Sequence, residues 1–179
     1  YIDAHISVFD NMYAKRLKTY KHIGFHLSSN GSLSKQTANA IYDSGNYTDV
    51  FERDIVEAEK TIFVSCPELT WDKVKRFLFL VKTRQEAGCK VTVITKNPQN
   101  ALYGSSEFVR ELVKEMQQGG IFVILKDEVS EHFAVLDDEL VWHGGMNLLG
   151  KEDAWDNLMR IKSAQVAAEL LEIALKKEE

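Results

Sequence analysis

The sequence predicts an α/β protein: a mixed, largely parallel β-sheet flanked by helices on both faces, with an N-terminal helical lead-in. Three short apolar runs, at 61–65, 90–95 and 121–125, have the composition of strands that are buried on both faces. Helical patterns separate these runs, and a strand, helix and strand within about thirty residues imply parallel pairing.

Composition limits the possible functions of the 179-residue chain. Its length suits one domain, or one domain with an appended helical segment, and a net charge of -5 gives no overall attraction to nucleic acid or to an anionic membrane. Cys66 and Cys89 adjoin apolar runs, so we expect buried, reduced thiols rather than a disulfide or a metal site. The sequence shows no signal peptide or membrane span; we therefore expect a cytoplasmic protein with no membrane partner.

The first part of the chain has a helical pattern. Apolar residues three to four positions apart between 2 and 20 predict an amphipathic helix. Its other face carries Lys15, Arg16 and Lys18, which form either a surface for nucleic-acid phosphates or a solvated helix face. The polar loop 28–34 marks a boundary, so we predict a lead-in or linker from a preceding domain at 1–34 and the main domain at 35–179.

The remaining elements follow from apolar periodicity and from residues that start or stop helices. Thr70 and Ser163 are suited to cap helices, and Gly88 and the pair Gly119-Gly120 are suited to end them. The expected strands are 40–42, 61–65, 90–95, 121–125 and 157–162, and the expected helices are about 49–60, 71–87, 107–118 and 164–176.

The most informative stretch is Ser130–Asn147, SEHFAVLDDELVWHGGMN. It predicts two short strands, 132–136 and 140–142, joined by a tight turn at Asp137-Asp138, because short carboxylate side chains favour turns. Polar residues flank the apolar strands, and we expect them to converge at the rim of the sheet, where α/β proteins often place their chemistry. These residues are Ser130, His132, Asp137, His143 and Asn147.

This stretch resembles the single-motif branch of the phospholipase D-like superfamily. The signature of that family is His-x-Lys, four residues, Asp, then about six residues and Gly-Ser-x-Asn. FAVLD at 133–137 and VWHGGMN at 141–147 are similar, more narrowly, to the phospholipase D-like domain that follows the motor in some bacterial superfamily-2 DNA/RNA helicases. In this register Asp137, Gly144 and Asn147 match the motif. Ser130 replaces its nucleophilic His, His132 its Lys, and Gly145 its Ser.

The resemblance implies a phosphodiesterase centre that needs no cofactor or metal, with the second half of the site supplied by a two-fold related copy of the chain. It places His132, Asp137, Asn147 and Ser130 at the catalytic positions, with Asp137 orienting a His. Gly144, Gly145 and Asn147 then form the phosphate-binding positions. Because Ser130 lacks a basic partner in the motif, the site retains anion-binding geometry and loses its nucleophile.

Three functions remain open. The first is a catalytically impaired accessory domain of a helicase-type protein, which binds phosphate, DNA or RNA or forms a homodimer. The second is an active metal-independent phosphodiesterase or nuclease in which His132, with its dimer mate, replaces the lost nucleophile. His143 either contributes to such a centre or is a strand-end residue with its polar tip in water. The third is a purely structural or protein-interaction domain.

Overall fold

A computed structural model describes residues 40–100, 106–151 and 156–176. The predicted lead-in at 1–34, its boundary with the main domain, and the cationic residues Lys15, Arg16 and Lys18 lie outside the described residues. Those parts of the prediction stay untested.

The described residues form a seven-stranded sheet in the order β1-β7-β6-β5-β2-β3-β4. Each strand begins within about two residues of an apolar run noted above. The strands are β1 (Ala40–Asp43), β2 (Thr61–Ser65), β3 (Lys90–Lys96), β4 (Phe122–Lys126), β5 (Phe133–Leu136), β6 (Leu140–Gly144) and β7 (Asn157–Lys162).

Helices cover both faces of this sheet. Three pack on one face and contribute buried apolar residues to the larger core: α1 (Thr48–Glu57), α2 (Trp71–Glu86) and α3 (Ser106–Gln118). The fourth, α4 (Ala164–Leu175), packs on the opposite face with Ala167 and Ala174. Its first turn is capped as predicted, because Ser163 Oγ accepts from the Val166 N–H at 3.3 Å.

The central strands serve both cores because successive side chains point to opposite faces. In β2, Val64 joins the core under α1–α3, whereas Phe63 joins the core under α4. In β5, Ala134 joins the core under α1–α3 and Phe133 joins the core under α4. Their unbroken apolar sequences therefore reflect burial on both sides, as predicted.

The sheet is mixed, as predicted, but it is less parallel than we expected. Only β2 with β3 and β3 with β4 pair in parallel; the other four pairings are antiparallel. The difference arises because β5 returns beside β2 without a crossover helix. β6 and β7 continue the sheet beyond β5, and β1 is its edge strand on that side.

The predicted hairpin is confirmed, with β5 and β6 paired from Phe133 opposite His143 to Leu136 opposite Leu140. Asp137 and Asp138 both adopt left-handed conformations in the turn, with φ of 52° and 60°. Asp tolerates this region better than most residues because its short side chain bonds locally. The acidic pair therefore specifies the turn, and the turn fixes the register of both strands.

A buried ionic cluster ties α1 to β6 and β7. Asp54 is 3% exposed and accepts hydrogen bonds from Trp142 Nε1 at 2.8 Å and from Arg160 Nε and Nη2 at 2.6 and 2.9 Å. Burial favours loss of the Arg160 proton, but hydrogen bonding and proximity to Asp54 outweigh it and raise the pKa of Arg160. The guanidinium therefore stays charged inside the cluster.

Candidate functional site

A polar rim lies at the carboxyl ends of the parallel strands, and of the five residues expected there Ser130 lines its cleft. Ser65 ends β2, Lys96 ends β3 and Lys126 ends β4, and all three line a cleft of about 600 Å³. The loop 127–131 and the last turn of α4 close its other sides. Open α/β sheets commonly bind ligands at this end of their strands, so this cleft is the natural candidate site.

Ser130 and Glu131 form the wall between the cleft and β5. The exposed Ser130 hydroxyl donates to Glu131 Oε1 at 3.1 Å, and the Ser130 N–H donates to Glu131 Oε2 at 3.3 Å. Burial opposes ionisation of Glu131, but these donors and its own N–H outweigh burial and lower its pKa. The serine hydroxyl thus faces an ionised carboxylate of its own chain, and that carboxylate would repel a phosphodiester.

The backbone of Glu131 fixes where His132 begins. Ser65 Oγ donates to the Glu131 carbonyl oxygen at 2.9 Å, which ties the loop to the end of β2. His132 is half-buried, and its Nδ1 is buried without a hydrogen-bond partner among the described residues. This nitrogen therefore has unused hydrogen-bonding capacity, although it is closed to solvent.

His143 lies beside His132 on the returning strand. Burial lowers its pKa and the charge of His132 lowers it further, whereas Glu131 acts in the opposite sense. His143 is therefore neutral at neutral pH. The hairpin places two imidazoles and one carboxylate at one end of the sheet within a single chain.

Asn147 is nearly buried, at 9% exposed, and its amide is occupied by side chains that sequence reasoning missed. Asn147 Nδ2 donates to Glu68 Oε2 at 3.4 Å, and Asn147 Oδ1 accepts from the Cys66 thiol at 3.3 Å. The thiol also lies 2.9 Å from the Glu68 carbonyl oxygen, and burial raises its pKa to about 12. A carboxylate of the chain therefore accepts from the amide group through which Asn147 was expected to bind phosphate, and it uses one of the two Nδ2 hydrogens.

Gly144 and Gly145 do not form the expected oxyanion site. The Gly144 N–H donates to the His132 carbonyl oxygen at 3.2 Å, and the Gly145 N–H donates to the Asn157 carbonyl oxygen at 3.3 Å. A Cβ on Gly144 would overlap the Asn157 carbonyl group. Glycine is needed at position 144 because the backbone of β7 lies too close to β6 for a side chain. The N–H groups of both glycines already donate to carbonyl oxygens of the chain.

Asp137 is not part of the rim. Its carboxylate accepts from the backbone N–H groups of Glu59, Lys60 and Thr61 at 2.6–3.1 Å, beside the first residue of β2. The rim lies at the other end of that five-residue strand, roughly 13 Å away at 3.3 Å per residue. Asp137 therefore cannot orient His132; it joins the hairpin turn to the segment that leads into β2.

The pKa of Asp137 reports this structural role. Burial disfavours its charge, but the N–H donors of Glu59, Lys60 and Thr61, with the Lys60 charge, outweigh burial and lower the pKa. A carboxyl group with a lowered native pKa stabilises the fold fully above the unfolded-state pKa, near 4. That contribution is lost as the pH falls through the native pKa.

We expect Asp137→Asn to lower the free energy of unfolding at pH 7 by about 1–2 kcal/mol, because charged hydrogen bonds become neutral ones. Urea titrations between pH 2 and pH 7 should show that the variant loses less stability at acid pH than the native chain. Asp138→Asn is the matched control, since Asp138 also has a positive φ but accepts from a side-chain hydroxyl, Thr61 Oγ1, rather than from a row of backbone N–H groups. Equal acid sensitivity of the Asp137 variant and the native protein would contradict this role.

The cleft has mixed charge. Lys96, Lys126 and Lys176 oppose Asp127, Glu128 and Glu131, and Lys126 Nζ is held by the Lys176 carbonyl oxygen at 2.8 Å. Across the described residues, no three His, Cys, Asp or Glu side chains converge as metal ligands. Both cysteines are free and buried there, as predicted.

Comparison with solved structures identifies the architecture. The chain is similar to Nuc from Salmonella typhimurium, a phospholipase D family member, with a TM-score of 0.59 over 75% of this chain and 88% of that one. It is also similar to NucT from Helicobacter pylori, with a TM-score of 0.56 over 76% and 92%. The chain has the phospholipase D-like fold. Sequence identity is 14% in both cases, so the similarity establishes the fold alone.

A third neighbour with this fold is TrmBL2, an archaeal chromatin protein with a novel mode of DNA binding. The TM-score is 0.54 and the identity 12%, over 93% of this chain and 60% of that one. No protein-family model matches the sequence, and no curated protein does. No helix among the described residues has both the length and the apolar surface needed to cross a membrane.

Proposed function

We propose that this phospholipase D-like domain is a catalytically impaired accessory module of a nucleic-acid-processing protein of the helicase type. One observation supports the loss of activity: carboxylates of the chain itself are bonded to the residues at the phosphate-binding and nucleophile positions. The Asn147 amide, which the family motif assigns to phosphate, is occupied by Glu68 and Cys66. The position of the nucleophile is held by Ser130, whose hydroxyl is bonded to Glu131. Two carboxylates thus stand where a phosphodiester would need hydrogen-bond donors and a nucleophile.

Two further considerations support an accessory role. The resemblance at 133–147 is to domains that follow helicase motors, and the structural neighbours include a DNA-binding chromatin protein. A single motif in the chain favours a homodimer with two copies of the rim across a two-fold axis. In this proposal the domain contributes nucleic-acid contacts and assembly rather than bond cleavage.

The native chain should therefore show no turnover of bis-(p-nitrophenyl) phosphate, single- or double-stranded DNA, or RNA in the presence of EDTA. Loss of the nucleophile lowers kcat by about 10⁶-fold in a worked protease case, so no turnover is expected in these assays. The measurement compares p-nitrophenolate release and oligonucleotide cleavage for the native chain and for His132→Ala. Equal background rates are expected.

The unpaired, buried Nδ1 of His132 favours a second candidate, an active phosphodiesterase. In that case His132 would attack phosphorus and expel the leaving oxygen, and the protonated His132 of a second copy would give that oxygen its proton. Water would then hydrolyse the phosphohistidine. Turnover that is lost in His132→Ala and retained in the exposed-site variant Lys114→Ala would establish this candidate and refute impairment.

A further inference from the structure

The solvent face of α2 carries an exposed aromatic residue surrounded by cations. Phe79 is 71% exposed, the highest value among the large hydrophobic residues that the structure describes. Lys75 and Arg76 lie four and three residues before Phe79, and Lys82 lies three residues after it. All three cationic side chains are exposed. Residues at these spacings are neighbours on a helix surface.

The contacts on this face hold rings and cations together. Lys75 Nζ lies 4.3 Å from the centroid of the Trp71 ring, and the Arg76 guanidinium lies 5.6 Å from that of Phe79. Arg76 is also paired with Glu52 at 2.6 Å, which fixes the guanidinium beside the ring. One face of Phe79 thus meets a cation, and most of the side chain remains open to solvent.

The same face continues into a cleft of about 570 Å³ at the end of α2. Lys82 lines this cleft together with Lys90 and Phe122, which is 67% exposed. Phe79 and Phe122 are the two most exposed large hydrophobic side chains among the described residues. Lys82 lies between them, three residues from Phe79 and on the wall of the cleft that holds Phe122. Together Lys75, Arg76, Phe79, Lys82, Lys90 and Phe122 form what we call the α2 track.

We propose that the α2 track binds single-stranded nucleic acid, separately from the candidate rim. Exposed aromatic rings stack on unpaired bases, and neighbouring cations contact the phosphates between them. From Lys75 to Lys82, α2 rises by roughly 10 Å at 1.5 Å per residue, and the cleft adds further length. This span fits a few nucleotides, the scale at which such proteins bind a strand.

Charge distinguishes this occupant from the alternatives. The whole chain has a net charge of -5, but α2 carries five cationic and two acidic side chains. The sequence before residue 40 has five Lys or Arg and two Asp, so like charge disfavours its docking on α2. A second copy placed face to face would also bring the same cations together. A polyanion with exposed planar bases satisfies both the cations and the rings.

This binding site rests on the proposed function only in taking nucleic acid as its ligand, and none of its residues belongs to the candidate rim. Failure of the two ideas is distinguishable. Hydrolysis of bis-(p-nitrophenyl) phosphate reports on the rim, whereas oligonucleotide binding in EDTA reports on the α2 track. A rim that proves active would leave the binding result unchanged.

The test is fluorescence anisotropy of a labelled 15-nucleotide oligo-dT with the full chain at several salt concentrations. We expect Phe79→Ala to weaken binding about 5- to 150-fold through the loss of one stacked base. Phe79→Trp should bind like the native chain, and Phe79→Leu should bind like Phe79→Ala, because leucine is apolar but cannot stack. A protein-binding surface would instead accept leucine.

Removal of cations should change the salt dependence rather than the stacking. Lys75→Ala with Lys82→Ala should reduce the slope of log K against log salt by about 1.4, at 0.7 per phosphate contact on a single strand. Lys114→Ala, on the exposed face of α3, is the matched control and should leave the slope unchanged. The proposal is overturned if the native chain does not bind oligo-dT, if Phe79→Ala binds equally well, or if duplex DNA is preferred. Circular dichroism of each variant confirms that it is folded.

Discussion

Replacing Asp54 with alanine is expected to lower the free energy of unfolding by about 3–5 kcal/mol, the usual cost of breaking a buried ion pair on one side. The substitution would leave the Arg160 guanidinium, whose side chain is 17% exposed, without its carboxylate. It would also leave the Trp142 indole N–H without its acceptor in the centre of the core. Urea denaturation at pH 7, followed by tryptophan fluorescence, measures the loss.

A surface ion pair between α1 and α2 provides the control. Glu52 pairs with Arg76 at 2.6 Å, but the Arg76 side chain is 53% exposed, and pairs of this kind contribute at most about 1 kcal/mol. Glu52→Ala should therefore change stability far less than Asp54→Ala. A double-mutant cycle of Asp54→Ala with Arg160→Met would give a coupling near zero if the cluster is not the source of the loss.

Gly144→Ala should destabilise the fold by about 1–3 kcal/mol or more, because the added methyl group would overlap the Asn157 carbonyl group across the β6–β7 pairing. The obstacle is backbone, which cannot move aside as a side chain would. Thermal unfolding of the purified variant measures the effect, and a lower yield of folded protein is expected as well.

Gly88→Ala separates overlap from conformational strain. Gly88 has a φ of +94°, and a Cβ there would meet nothing within 4 Å, so any cost is conformational. We expect a cost of about 1 kcal/mol at Gly88, less than at Gly144. A Gly144 variant as stable as the native chain would show that β7 does not need this close approach.

The sequence predicted the fold because its signals are local. Unbroken apolar runs such as 61–65 identified the central strands, and Asp137-Asp138 identified the hairpin turn. The number of strands that pair in parallel was harder to predict from the sequence. Nothing in β5 or β7 shows which neighbour it will choose, because β5 pairs with β2 and β7 pairs with β1, and both of those strands are distant along the chain. Strand order depends on contacts between distant parts of the chain.

The candidate site was harder to predict than the fold. Motif position alone placed Asp137 beside His132, yet the two residues flank a strand whose length separates them. Asn147 was expected to bind phosphate, but its partners Glu68 and Cys66 lie about eighty residues earlier, and no local pattern links them. The Ser130–Glu131 hydrogen bond was visible in principle, because the two residues are adjacent.

The pairing of β1 with β7 has a consequence for how the molecule is made. Ala40–Asp43 bonds only to Asn157–Lys162 within the described sheet, so the first strand has no partner until more than a hundred further residues have been synthesised. Contacts so distant along the chain form slowly, since a long loop must close before they stabilise anything. During translation the backbone of 40–43 therefore has no strand partner while β2, β3 and β4 assemble. Premature termination between residues 145 and 156 would leave a partial sheet with an open edge at β6, a form prone to association with other chains.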